Sequence, residues 1–498
     1  MIVVALAFTG CATTNPRAPS RPPAQPAPHG PPALPALPTL VRDIDAILSQ
    51  PALQHGSWGV LVKSIDKDDE TLYARNAIKL MLPASNLKIV TLAAAAEKLG
   101  WDYRYETTVL AGGTIDAGIL QGDLVVVGSG DPSLVAEDGM ADRVFAEWAD
   151  RLKQHGIRTI AGRVIGDDNG FEEETLGFGW SWDDLPDDYA AGVGALQFNE
   201  GAVRITVAPG PAAGDSAGIS VTPAGSSLTI VNAVVTGPTG STGSISTRRL
   251  PGSTRLELRG AIPLGGAASS LAASVDNPTL FFAAALRGAL IANGIDVRGP
   301  AVDIDDVPDL PRPTSAPLVA YRSAPLSELA VRLMKASQNQ YAETLLKTVS
   351  DGAGVRSTEG GRAAAQAILQ GWGVPASALI LRDGSGLSRY DFVTPEALVA
   401  ILSHVYRDAR LREPFEASLP IAGRDGTLAN RMKGTPAEGN ARAKTGSMTG
   451  VRALSGYVTT AGGERLAFSI VANNFETSPD VVMAAADAID VALARFRR

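Results

Sequence analysis

One cysteine, Cys11, and four histidines are spread over 498 residues. That scarcity excludes a disulfide framework and a Cys/His metal cluster at recognised spacing, so the chemistry must use other side chains. No run of Lys and Arg exceeds two residues, and 44 basic side chains face 52 acidic ones, a net charge of −8. A phosphate backbone finds no electrostatic footprint in such a chain, and nucleic acid is not expected as a partner. An uninterrupted apolar stretch of about 18 residues or more is also missing, so no helix is expected to span a membrane.

What is present is globular in character, with 45% hydrophobic and 19% charged residues. The length exceeds the ~250–300 residues at which single cores stop growing, so several domains are expected. Residues 1–11, MIVVALAFTGC, form a short apolar run ending in small residues before Cys11. They resemble the signal peptide and lipobox of a bacterial lipoprotein, which makes Cys11 a lipidation candidate and implies a periplasmic chain anchored to the outer membrane by lipid. Residues 12–38 are dominated by Pro and Ala, a composition that favours extended polyproline II and reads as a linker.

Folded structure is expected from Thr39, read as the cap of a helix carrying Leu40, Ile44, Ile47 and Leu48. Ser57–Ser64 and Thr71–Ala74 read as a hairpin, and Ser85–Leu99 as a helix stopped by Gly100. From 103 to 317 the texture changes to short β-rich runs with Gly turns. Within it, 203–264 alternates Val/Ile/Leu with Gly/Ser/Thr and reads as a small all-β subdomain, followed by a helix over 277–293. Helical patterns resume over 326–349, 360–372 and 395–407, and the chain ends in strands around 459–463 and a last helix.

Three short motifs follow in order: Ser85-Asn-Leu-Lys88, Ser337-Gln-Asn339 and Lys444-Thr-Gly446. Ser-x-x-Lys also occurs at Ser64 and Lys67. That pair falls on a strand end and turn, where a spacing of three splits the side chains between faces, whereas Ser85 and Lys88 share one helix face. A serine hydroxyl needs a neighbouring base, and a lysine serves only if desolvation or a nearby cation lowers its pKa. Lys444 is a candidate for that cation.

The order and spacing of the three motifs resemble the class C penicillin-binding proteins, the D-alanyl-D-alanine carboxypeptidase/endopeptidases. The stretches Gly128–Leu134, Gly166–Phe171, Asp383–Arg389 and Leu419–Leu428 also resemble that family. The resemblance implies a multidomain α/β fold. A penicillin-binding/β-lactamase-like transpeptidase domain, an antiparallel sheet flanked by helices, would occupy 39–102 and 318–498. A sheet-rich insertion would occupy 103–202 and 265–317, with the nested β subdomain at 203–264. It implies Ser85 as nucleophile, Lys88 as base, and Ser337, Asn339 and Lys444 as further catalytic groups. Backbone N–H groups of Ser85 and Ser447 would form an oxyanion hole. Thr445, Gly446 and Ser447 would bind the substrate's terminal carboxylate, and Asp184, Tyr189 and Arg389 its side chain. Thr449 stands where some members have Gln. The implied partners are peptidoglycan stem peptides, with β-lactams as covalent inhibitors, and the implied chemistry runs through an acyl-enzyme without metal or cofactor.

Two rivals share parts of this reading. A serine β-lactamase or esterase has the same chemistry but deacylates fast, and no Glu-x-x-Leu-Asn motif supplies a hydrolytic glutamate. A non-catalytic peptidoglycan-binding scaffold would use the insertion for contacts alone.

Overall fold

The computed structural model describes residues 36–498 apart from 308–309, 311–312, 314–315 and 352–353. Cys11, the lipoprotein-like start and nearly all of the Pro-rich stretch lie outside the described residues.

A five-stranded antiparallel sheet carries the motif-bearing part of the chain, in the order Arg442–Met448, Val451–Thr459, Arg465–Asn473, Ser57–Ser64, Glu70–Arg75. Segments from opposite ends of the sequence thus share one sheet. Alternation along Ser57–Ser64 sends Leu61 to one face and Val60 and Val62 to the other. Leu61 meets the core that Ile89, Leu333, Leu345 and Leu402 build from helices on that side. Val60 and Val62 meet Ile44 and Leu48 of the helix Ala36–Leu48, with Ile489 and Leu493 of the helix Pro479–Arg495. The result is a sheet covered by helices on both faces.

Three local expectations are corrected. Thr39 lies inside the first described helix, Ala36–Leu48, and does not cap it. Ser85 sits in a 3-10 turn, Ala84–Asn86, that feeds the helix Leu87–Leu99. That helix is buried without a break from Leu87 to Ala96, as befits one that is apolar all round, and Gly100, at φ 77°, ends it with its N–H on Ala96 O. The helical run over 326–349 is two helices, Leu326–Lys335 and Asn339–Thr348. Between them Ser337 adopts φ 60°, a left-handed conformation costing an L-residue roughly 1–2 kcal/mol. Hydrophobic periodicity passes through such a break unchanged.

A second sheet is centred on the hairpin Glu106–Asp116 and Ile119–Val127 and gathers Thr159–Ile160, Val164–Asp167, Asp296–Val297, Ala301–Asp303 and Val319–Arg322. Val319–Arg322 pairs with Glu106–Asp116, so this sheet runs past 317, where the inserted material was expected to end. Residues 202–274 form two three-stranded sheets. They close at Ser274 and not at 264, because Ser269–Ser274 pairs with Ala202–Ala208. Among the described residues no helix is long and apolar enough to cross a membrane.

Candidate active site

The turn that carries Ser85, the expected nucleophile, is held by close backbone approach. Ala84 has φ 46°, and two glycines let other segments reach it. A Cβ on Gly386 would lie 2.0 Å from Ala84 O, and one on Gly446 would lie 2.5 Å from Pro83 O. Asn86 is buried beneath, donating to Ser455 Oγ at 2.7 Å, and so ties the turn to the central sheet. Ser85 therefore stands at the junction of the sheet edge, the buried helix and the Asp383–Ser388 loop.

Lys88 Nζ lies 2.9 Å from Ser85 Oγ and donates to Asn339 Oδ1 at 2.6 Å and to the Ser385 carbonyl at 3.0 Å. Two of its three neighbours are pure acceptors. A neutral amine has two hydrogens and one lone pair, so these acceptors consume the hydrogens and leave the lone pair for the Ser85 hydroxyl. Burial pushes Lys88 down to about 7, against Glu343 and Asp383, which favour its charged form. Near neutral pH a large share of the amine is unprotonated.

Lys444 forms the other half. Its Nζ donates to Ser337 Oγ at 2.8 Å and to the Thr445 carbonyl at 2.9 Å. Burial and then repulsion from Lys88 hold this amine well below the usual lysine range, and no carboxylate offsets them. The sequence suggested that Lys444 is the cation lowering Lys88. Repulsion between the two amines is mutual, and burial is the larger cause of the lowering at both.

The carboxylates are structural. Glu343 is buried on the helix that begins at Asn339, and accepts from Gly384 N and Ser385 N at 2.8 Å each. Burial and the neighbouring Asp383 push it up to about 8. Asp383 accepts from Gly386 N and Ser388 N at 2.7 Å and from Trp180 Nε1 at 2.9 Å.

Above the amines opens a cleft of ≈ 320 Å³ reached by Ser85, Ser337, Asn339, Thr445 and Ser447. Asp184 and Tyr189 of the expected insertion line it too, as does Arg389 of the catalytic part. The Tyr189 hydroxyl shares its one hydrogen between Asp184 Oδ1 at 2.9 Å and Asp187 Oδ2 at 2.8 Å, and the Tyr189 carbonyl accepts from Asn339 Nδ2 at 2.7 Å. Burial and those carboxylates raise the Tyr189 phenol far above its usual range. Arg389 reaches the Thr449 carbonyl at 3.4 Å. Gly446 is the exception among the expected substrate contacts, for it packs on the nucleophile turn and does not line the cleft. The second Ser-x-x-Lys match lies elsewhere: Ser64 is buried in the sheet opposite Leu466, and half-exposed Lys67 is 3.9 Å from Glu464.

Sequence reasoning missed Ser385, whose contribution is a carbonyl, and Glu343, which reads as one more polar helix position. It also missed Thr427, whose hydroxyl bonds that of Thr445 at 2.8 Å. The Asp383–Arg389 and Leu419–Leu428 stretches contained Ser385 and Thr427 but gave them no role.

Residues 40–496 match the profile of the D-Ala-D-Ala carboxypeptidase 3 (S13) family. The chain is 39% identical over 469 residues to the D-alanyl-D-alanine carboxypeptidase of Actinomadura sp. (strain R39), covering 92% of this chain and 85% of that protein. It is 29% identical over 435 residues to D-alanyl-D-alanine carboxypeptidase DacB of Haemophilus influenzae, with 86% and 88% covered. The crystal structure of penicillin binding protein 4 (dacB) from Haemophilus influenzae superposes with a TM-score of 0.80 at 26% identity, covering 91% of this chain and 99% of that one. Its complex with a novel beta-lactam gives 0.72 at 26% identity, covering 92% and 100%. With the profile spanning nearly all the described residues and the site assembled from all three motifs, the chain belongs to the D-Ala-D-Ala carboxypeptidase 3 (S13) family.

Proposed function

We propose that this enzyme is a serine DD-carboxypeptidase and DD-endopeptidase that cleaves D-Ala-containing stem peptides and cross-links of peptidoglycan and is acylated by β-lactams. The observation that carries the reading is the pair of buried amines, each on a serine hydroxyl, beneath one cleft.

In this mechanism neutral Lys88 accepts the Ser85 proton as Oγ attacks the carbonyl carbon of the scissile amide. The C–N bond breaks, and the leaving amine takes a proton delivered through Ser337 from the lysine pair. Backbone N–H groups of Ser85 and Ser447 stabilise the oxyanion, where preorganised donors contribute most. Water then hydrolyses the Ser85 ester, giving the shortened peptide and the free hydroxyl. Thr445 and Ser447 hold the terminal carboxylate. Its negative charge beside Lys444 favours protonation there, and a cationic Lys444 in turn favours neutral Lys88. Asp184, Tyr189 and Arg389 meet the side chain of the stem peptide.

Release of D-alanine from a diacylated D-Ala-D-Ala peptide, and opening of a cross-linked peptide dimer, test the two activities. Both should be lost in Ser85→Ala; D-alanine release that survives this substitution contradicts the reading. The substrate lies outside the cytoplasm, in keeping with the lipoprotein-like start. A membrane-extracted chain whose mass carries a diacylglycerol at Cys11 would support the anchor, and an unmodified Cys11 would refute it.

A further inference from the structure

Among the described residues four aromatic side chains are more than a third exposed: Phe178 at 64%, Trp182 at 56%, Tyr390 at 55% and Tyr189 at 40%. Three of the four are in, or within two residues of, the wall of one cleft, and the fourth, Phe178, packs against Tyr390. Tyr189 lines the cleft, Trp182 is two residues from Asp184, which also lines it, and Tyr390 follows Arg389 of its wall. Soluble proteins bury their large aromatics, so a concentration of exposed rings on one rim marks a binding surface.

Three of these rings belong to no part of the machinery above, and two of the three, Phe178 and Tyr390, pack together. Phe178 follows the strand Val164–Asp167 of the second sheet and Tyr390 comes from the Asp383-anchored loop, yet their centroids are 5.5 Å apart and tilted by 50°. The arrangement is built. Gly179 at φ 77° lies against the Tyr390 ring, where a Cβ would come within 2.3 Å of Cδ2. The Tyr390 N–H donates to Ser388 Oγ at 3.2 Å, and Ser388 N is held by Asp383. The Arg382 guanidinium stands 5.9 Å from the Phe178 centroid. These contacts fix two aromatic faces beside the cleft while leaving them open to solvent.

We propose that Phe178 and Tyr390 form a saccharide-binding ledge that stacks against an N-acetylhexosamine ring of the glycan to which the stem peptide is attached. The inference rests on the peptidoglycan reading given above. A sugar offers a flat apolar face of C–H groups and a polar edge. Exposed aromatic rings match the face, and the Arg389 guanidinium, at the junction of ledge and cleft, offers donors for the edge. The ledge would make the enzyme favour stem peptides that still carry their sugars over free peptides of the same sequence.

The test compares kcat/KM on a disaccharide-linked stem peptide and on the free stem peptide, for wild type and for a Phe178→Ala/Tyr390→Ala variant. Both substituted side chains are exposed, and an unchanged rate of acylation by penicillin confirms that the variant is folded and its nucleophile intact. The variant should lose about tenfold on the disaccharide-linked substrate, the worth of one good aromatic contact, and stay within about twofold on the free peptide. Equal losses on both substrates, or none on either, overturn the ledge. If wild type cleaves neither substrate the functional reading fails, and the ledge is judged by the disaccharide alone in saturation-transfer NMR. Contacts to Phe178 and Tyr390 that vanish in the variant support it; no contact in wild type refutes it.

Discussion

Glu343 accepts the backbone N–H of Ser385 at 2.8 Å, and the carbonyl of that same residue accepts from Lys88 Nζ at 3.0 Å. The buried carboxylate thus places one of the two acceptors that orient the amine. Glu343→Ala would strand the N–H groups of Gly384 and Ser385, at roughly 1–3 kcal/mol each. Urea unfolding should show a loss on the order of 2–4 kcal/mol, with slower penicillin acylation. Unchanged stability would mean that the loop is held by other contacts.

The acylation rate should follow the neutral fraction of Lys88. Below about 7 the ammonium has no lone pair, so the rate should fall as pH falls through that value and level off above it. An unperturbed lysine would place the limb near ~10.4. Lys88→Arg keeps the charge but cannot be deprotonated, so it should lose at least about a thousandfold and show no limb near 7. A limb near 7 that persists in Lys88→Arg assigns the titration to another group.

Gly446→Ala tests the fit between strand and nucleophile turn. The added methyl would sit 2.5 Å from Pro83 O, so the turn must move. A displacement near 1 Å at a nucleophile costs about a hundredfold, and acylation should fall by that order while the thermal midpoint changes little. Wild-type acylation in this variant would show that the turn relaxes freely.

Ser337 is 2.8 Å from Lys444, which suits it to deliver a proton to a leaving amine. A thiolate leaves without one. Ser337→Ala should therefore lose about 10²–10⁴-fold on an amide substrate and far less on the thioester of the same acyl group. Equal losses on both would place Ser337 in binding and not in proton delivery.

The three motifs were legible because their chemistry resides in side chains whose types and order survive in one dimension. The five-stranded sheet was only partly so. The hairpin Ser57–Arg75 shows in its pattern, but its pairing with Arg465–Asn473 joins the ends of the chain and leaves no local trace. The break at Ser337 was hidden because the apolar spacing of the helices before and after it runs on in phase, while the left-handed turn is imposed by packing. Ser385 acts through its backbone, and Glu343 through backbone groups of a distant loop, so neither had a residue-type signal. The burial that lowers Lys88 was hidden for the same reason: the groups that enclose its amine come from residues far along the chain.

The most direct test of the account is the intact mass of the protein after brief incubation with penicillin, for wild type, Ser85→Ala and Ser64→Ala. Wild type and Ser64→Ala should each gain one long-lived penicilloyl group, because no hydrolytic glutamate motif speeds its release, and Ser85→Ala should gain none. An adduct retained by Ser85→Ala, or rapid turnover of penicillin by wild type, would contradict it.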